Sequence, residues 1–204
     1  MHALEVTALY IALFVAGEIA LRAFKVSPEI TRRYVHFFSG LLAAFAGFWL
    51  DRAEIIMLAV LFLAALFVSR RLSILGSIHG VRRTSWGEFF FPAGVGLAAL
   101  LYLPNAVHLY YLSVLIVAIC DPLANLVGGR FSSHKLLFDK SQLGSSVFFA
   151  SSFALSLFFV PPVQALLVAA IATIAEVLSP YGSDNLTIIP AVGLAILIWP
   201  MGFV

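Results

Sequence analysis

Residues 107–146 read VHLYYLSVLIVAICDPLANLVGGRFSSHKLLFDKSQLGSS. The first half is an apolar run long enough to cross the ~30 Å hydrocarbon core of a bilayer, which takes about 17–25 helical residues. From Cys120 onward the same stretch gathers Asp121, Asn125, Arg130, Lys135, Asp139, Lys140 and five serines. An apolar run that ends in carboxylates and lysines predicts a membrane span opening into a polar site. The rest of the chain is read around that junction.

Composition agrees on either side of it. Of 204 residues, 62% are hydrophobic and 11% charged, with a mean hydropathy of +1.06, which leaves too little polar surface for a soluble domain. Apolar runs near 4–24, 34–50, 53–69, 87–103, 107–128, 146–161, 163–178 and 186–203 predict an all-α fold. The expected architecture is a polytopic transmembrane helix bundle of seven or eight spans, forming a single domain over 1–204. The opening MHALEVTALY has no basic segment before its apolar run and reads as a first span, not a cleaved signal. One cysteine, Cys120, excludes an internal disulfide and offers no metal motif. The formal charge of +2 gives no reason to expect a nucleic-acid partner, and the oligomeric state is not legible.

Where the charges fall is more informative than their sum. With eight spans, one set of loops carries Arg22, Lys25, Arg32 and Arg33, then Arg70, Arg71, Arg82 and Arg83, then Arg130, Lys135 and Lys140. The opposite set carries only Arg52. The positive-inside rule makes the basic loops cytoplasmic and the N-terminus external. Asp121, Asn125, Glu176, Asp184 and Asn185 fall toward the same face. Ionisable groups at membrane depth are costly unless they meet a partner or a cavity, so they mark function or buried pairing.

Asp121-Pro122 predicts a break or kink, with a short helix restarting at Pro122 and Asp121 as its cap. Asp121, Ala124, Asn125 and Gly128 then share a face, suited either to a metal-bound phosphate or to packing through small residues. Gly128-Gly129-Arg130 through Lys135 and the run KSQLGSS at 140–146 resemble an anion-binding loop feeding a helix N-terminus. The alternative is a basic loop touching lipid headgroups. No Walker A pattern occurs. Arg32, His36 and Gly40 share a helix face, and His36 alone is also compatible with an interfacial histidine bonded to a carbonyl. Arg82 and Arg83 precede Ser85, Gly87 and Glu88 at a span entrance, where Glu88 also suits the helix dipole. Asp184-Asn185 suits a cap on the last span, which leaves Glu176 unexplained. Glu18 and Arg22 read as a structural i, i+4 pair.

Taken in order, these motifs resemble a known family. Arg-Arg-x-x-His-x-x-x-Gly at 32–40, Arg-x-Ser-x-Gly at 83–87, Asp121 with Gly-Gly-Arg at 128–130, Lys-Ser-x-x-Gly-Ser at 140–145, and Glu176 with Asp184-Asn185-Leu186 are similar to the dolichol kinase/phytol kinase family, sometimes grouped with CTP-dependent diacylglycerol kinases. The resemblance runs from about residue 30 to 190. Two positions depart from the family pattern: Pro122 stands where Ala is usual, and Leu143 where an acid is frequent.

The resemblance implies transfer of the γ-phosphoryl group of CTP to a lipid alcohol, with Mg²⁺ as the divalent metal. It assigns Asp121, Lys140 and His36 to catalysis. Arg33, Arg83, Ser85, Gly128, Arg130, Lys135, Ser141, Gly144 and Ser145 would bind nucleotide and phosphate. Asp121, Asn125, Glu176, Asp184 and Asn185 would hold the metal through oxygen. The implied partners are a nucleoside triphosphate, a lipid alcohol and membrane lipids. The short length suggests a minimal prokaryotic form in the plasma membrane, with its active site facing the cytoplasm. The rival readings are a cytidylyltransferase acting on a lipid phosphate, a small ion or solute transporter, and a lipid-binding scaffold. Against a transporter, the sequence shows no acid-lined route to the opposite face.

Overall fold

A computed structural model describes residues 2–80, 86–131 and 134–198. They form helices α1 (His2–Arg22), α2 (Pro28–Ala46), α3 (Arg52–Arg71), α4 (Gly76–His79), α5 (Gly87–Tyr102), α6 (Val107–Leu115), α7 (Asp121–Arg130), α8 (Gln142–Ser156), α9 (Pro162–Val177) and α10 (Asp184–Ile198). A π-helical turn at Ile116–Cys120 joins α6 directly to α7. Among the described residues there is no strand, only an isolated bridge between Lys135 and Ser141.

Local sequence explains the boundaries. Ser27 caps α2, its hydroxyl accepting from the Ile30 amide, and Pro28 stands in the first turn, where a missing N–H costs nothing. The helix therefore starts six residues before the apolar run at 34. Asp51 and Glu54 form a reciprocal capping box on α3, each side chain accepting the other's amide at 2.8 and 3.0 Å. Ser141 caps α8 through the Gly144 amide at 3.1 Å.

Helices lie at each of the eight expected span positions, with the four-residue α4 in addition. Three are long and apolar enough to cross a membrane: α1, α3 and the continuous Val107–Arg130 segment. α5, α9 and α10 are apolar and shorter, at 15–16 residues. Along α1 only Val6 and Gly17 are buried, while Leu9, Ile11, Val15 and Ile19 face outward, an apolar surface that lipid covers.

The helix through residue 121 does not restart at Pro122. Asp121 has helical dihedrals and is not a cap. The π turn absorbs the proline: the Asp121 amide reaches back five residues to the Ile116 carbonyl. Pro122 has no N–H for the next carbonyl in that register, Val117, and His36 Nε2 takes it at 3.2 Å. This segment is the centre of the bundle. Tyr110, Leu112, Ile116, Ala118 and Cys120 are fully buried, with α2, α5, α8 and α10 packed around them.

The α2 seam against the π turn is tight at Gly40, where an added Cβ would overlap Ala118. Gly40→Ala is therefore expected to lower stability by about 1–3 kcal/mol through overpacking. A reduced thermal midpoint in detergent would register it, together with lower activity as His36 loses its register on Val117.

Candidate functional site

Six helix ends and the 134–142 loop surround one cleft of about 560 Å³. It takes Glu29, Arg32, Arg33 and His36 from the start of α2, Gly87 from α5, and Asp121, Ala124, Asn125 and Gly128 from α7. The expected face of α7 is thus the one turned to the cleft. Lys135 and Lys140 come from the loop, Ser141, Gly144 and Ser145 from the cap and first turn of α8, Glu176 from the end of α9, and Asp184 and Asn185 from the start of α10.

At its centre is Lys140. The loop folds back on itself through Leu136 N–H to the Lys140 carbonyl (2.7 Å) and Gln142 N–H to the His134 carbonyl (2.9 Å), with Phe138 left-handed at φ 51°. That turn drives the lysine inward. Its Nζ lies 2.6 Å from Glu176 Oε1, 2.7 Å from Asp184 Oδ2 and 3.9 Å from Asp121 Oδ1. Three carboxylates from three helices thus face one ammonium, and each is further held. Asn125 Nδ2 donates to Asp121 Oδ1 at 2.8 Å, Ser145 Oγ to Glu176 Oε2 at 3.0 Å, and the Asn185 amide to Asp184 Oδ1 at 2.9 Å.

Burial alone would depress the lysine, but Asp184, Asp121 and Glu176 outweigh it and raise its pKa above the ordinary 10.5. The sign follows directly. Below 10.5 the lysine is charged folded or unfolded and the cluster contributes in full; that contribution is lost only as pH rises through the higher folded value. From neutral pH to 10.5 the difference in thermal midpoint between the protein and Lys140→Met is expected to stay flat on the basic side. A fall in that difference below 10.5 would contradict the pairing.

Several expected phosphate donors are already engaged. The Gly144 amide is bonded to Ser141 Oγ, the Ser145 amide to the Ser141 carbonyl, and the Ser145 hydroxyl to Glu176. Gly128 and Gly144 let α7 and α8 approach backbone to backbone, since a Cβ on Gly128 would lie 3.0 Å from the Gly144 Cα. Arg33 lines the cleft while paired to Glu29 at 2.9 Å. Arg130 is exposed and does not line it. Arg83 and Ser85 lie outside the described residues.

His36 Nε2 faces a carbonyl, which only accepts, so it carries the hydrogen and Nδ1 remains to receive a proton. Glu88 does not line the cleft: it binds Arg32 (3.3 Å), which does, together with Arg70 (2.9 Å) and His79 (3.4 Å), in a cluster whose Arg70 side is exposed. Glu18 holds Arg22 at 2.8 Å and also accepts the Ser77 amide at the start of α4, which makes it structural, as its spacing suggested.

Sequence reasoning did not single out Phe138 and Tyr181, two exposed aromatic side chains on the cleft. The signal for Tyr181 was the Ser-Pro-Tyr-Gly turn, where Tyr181 and Gly182 take successive positive φ values of 54° and 87°.

Among the described residues no three His, Cys, Asp or Glu side chains are grouped as a metal-ligand set; the carboxylates converge on Lys140 instead. Mg²⁺ does not need such a cage, since it commonly takes one or two carboxylates plus substrate phosphates. Asn185 Oδ1 is buried without a hydrogen-bond partner, while its Nδ2 donates to the carbonyls of Gly87 and Gly182. An orphaned oxygen beside Asp184 fits a hard cation.

These features define an all-helical membrane protein with a charged cleft at one end of the bundle, a class broader than one activity. No family model matches the chain, and no solved structure matches it. It is 31% identical, over 212 aligned positions covering 97% of this chain and 90% of the relative, to a phytol kinase of Synechocystis sp.. The chain belongs to the phytol/polyprenol kinase family.

Proposed function

We propose that the chain transfers the γ-phosphoryl group of CTP to the hydroxyl of a membrane lipid alcohol: phytol, a polyprenol, dolichol or a related isoprenoid. The products are the lipid monophosphate and CDP. The observation that carries this reading is Lys140 held among Asp121, Glu176 and Asp184 in a cleft at the end of an apolar bundle. Its likeness to a phytol kinase supports the same reading.

In this reading Lys140, Arg33 and Lys135 neutralise the triphosphate, and Phe138 and Tyr181 offer aromatic faces to the base. Asp121, Asp184 and Asn185 would hold Mg²⁺, which when bound offsets charge on the transferring phosphoryl group. Asn125 orients Asp121, and Ser145 orients Glu176. The lipid oxygen forms a bond to the γ-phosphorus as the bond to the bridging oxygen of CDP breaks. The hydroxyl proton passes to His36 Nδ1 or to the Asp121 carboxylate, both on the cleft. The bundle spans the membrane seven or eight times, N-terminus outside, with the cleft at the cytoplasmic face of a prokaryotic plasma membrane.

The test uses purified protein in detergent with Mg²⁺, a panel of lipid alcohols and lipid phosphates, and CTP labelled separately at the γ- and α-phosphates, with ATP in parallel. Label entering lipid alcohol from γ-CTP alone is the expected result. Label from α-CTP alone would establish a cytidylyltransferase, and transfer from neither nucleotide would remove the kinase reading.

A further inference from the structure

A second, apolar groove begins where the cleft ends. Helix α2 presents one stripe: Arg32 and His36 line the cleft, then Ser39, Ala43 and Ala46 line the groove, at i, i+4, i+7, i+11 and i+14. Helix α5 repeats the handover, with Gly87 on the cleft and Phe91 and Val95 on the groove, at i, i+4 and i+8. Between the two, His36 of the cleft and Phe91 of the groove are in ring contact, 4.7 Å between centroids.

The groove is built for a hydrocarbon. Its other walls come from α1 and α3, including Tyr10, Phe14 and Phe62. Its tyrosine hydroxyls are already satisfied: Tyr10 donates to the Ser39 carbonyl at 2.8 Å and Tyr110 to the Ala43 carbonyl at 2.7 Å. Neither asks for water or a polar ligand. From Ser39 to Ala46 the groove follows α2 for about 10 Å at the helical rise, and Leu50 extends it beyond the helix end. Its volume is about 60 Å³.

We infer that this groove holds the near part of the tail of a single-chain lipid alcohol, placing the hydroxyl past Phe91 beside His36. The inference rests on the lipid-alcohol reading above and adds where the chain lies.

The experiment has two arms. Irradiating the full-length protein with a long-chain primary alcohol that carries a diazirine on its tail should label Phe14, Phe62 or Val95, and excess unlabelled alcohol should abolish the labelling. In kinetics, Val95→Phe, a partly exposed groove position, should raise KM for the long-chain alcohol about tenfold or more, as changes in apolar pockets commonly do. KM for a short-chain alcohol that stops at His36 and KM for nucleotide should stay as they were. Labelling elsewhere, labelling that survives competition as a resident membrane lipid would, or an unaltered long-chain KM overturns the inference. If the kinase reading alone is wrong, phosphoryl transfer is absent from the unaltered protein while competed labelling in the groove persists, so the two failures are distinct.

Discussion

Lys140→Met is expected to abolish phosphoryl transfer and to destabilise the protein by about 3–5 kcal/mol, the usual cost of removing one partner from a buried ionic cluster. The lysine is the shared counter-charge for Glu176 and Asp184 at 2.6 and 2.7 Å and a near neighbour of Asp121 at 3.9 Å. Without it, three carboxylates from α7, α9 and α10 are left facing one another, and the helix ends they belong to are pushed apart. Labelled CTP measures the first effect and thermal unfolding in detergent the second. Adding Glu176→Gln and Asp184→Asn to Lys140→Met removes the repulsion and should recover most of the stability with no recovery of turnover. A Lys140→Met protein with near-normal turnover would exclude the lysine from the reaction.

Asp121→Asn is the complementary case, with a large effect on rate and a small one on stability. The amide is nearly isosteric, its oxygen can still accept from Asn125, and Lys140 keeps its two shorter pairs. What is lost is a negative charge at the cleft, which the proposed metal-nucleotide complex would need and the fold does not. A fall in kcat of about 100- to 1000-fold is expected, the scale seen when one preorganised electrostatic group is removed. Stabilisation of the protein by Mg²⁺ with nucleotide should weaken in parallel, a readout independent of turnover. Retained turnover would remove Asp121 from the mechanism.

Both variants probe a juxtaposition that the sequence foreshadowed without specifying. Asp121, Asn125, Lys140, Glu176 and Asp184 were legible as candidates because charge is so scarce in this chain that each polar group in an apolar setting stands out. Their grouping on one cleft was legible from helix count alone, since antiparallel helices return alternate loops to the same end. Partnership was not. Lys140 and Asp184 are 44 residues apart, and no local pattern says that the lysine rather than a metal sits among the carboxylates. The serines and glycines of 140–146 show the same limit. Their composition suited an anion loop, whereas the fold uses Ser141 as a cap, Ser145 to hold Glu176, and Gly144 to admit α7.

The sequence by itself determined a helical membrane bundle, because hydrophobic runs of bilayer length leave a backbone little choice but internal hydrogen bonding. The helix starts at Ser27-Pro28, at Asp51 with Glu54, and at Ser141 are set by bonds that span only three or four residues, although the apolar runs alone placed α2 and α8 later, at 34 and 146. Only the tertiary structure decided how the chain passes Pro122. A proline predicts a break, but a π turn and His36, 81 residues before Val117, together satisfy the carbonyls that the missing N–H leaves open, and the helix runs through. Only the tertiary structure could do so, because the partner that satisfies a backbone group across the bundle is chosen by packing, and packing at Gly40 and Ala118 is set by which helices meet.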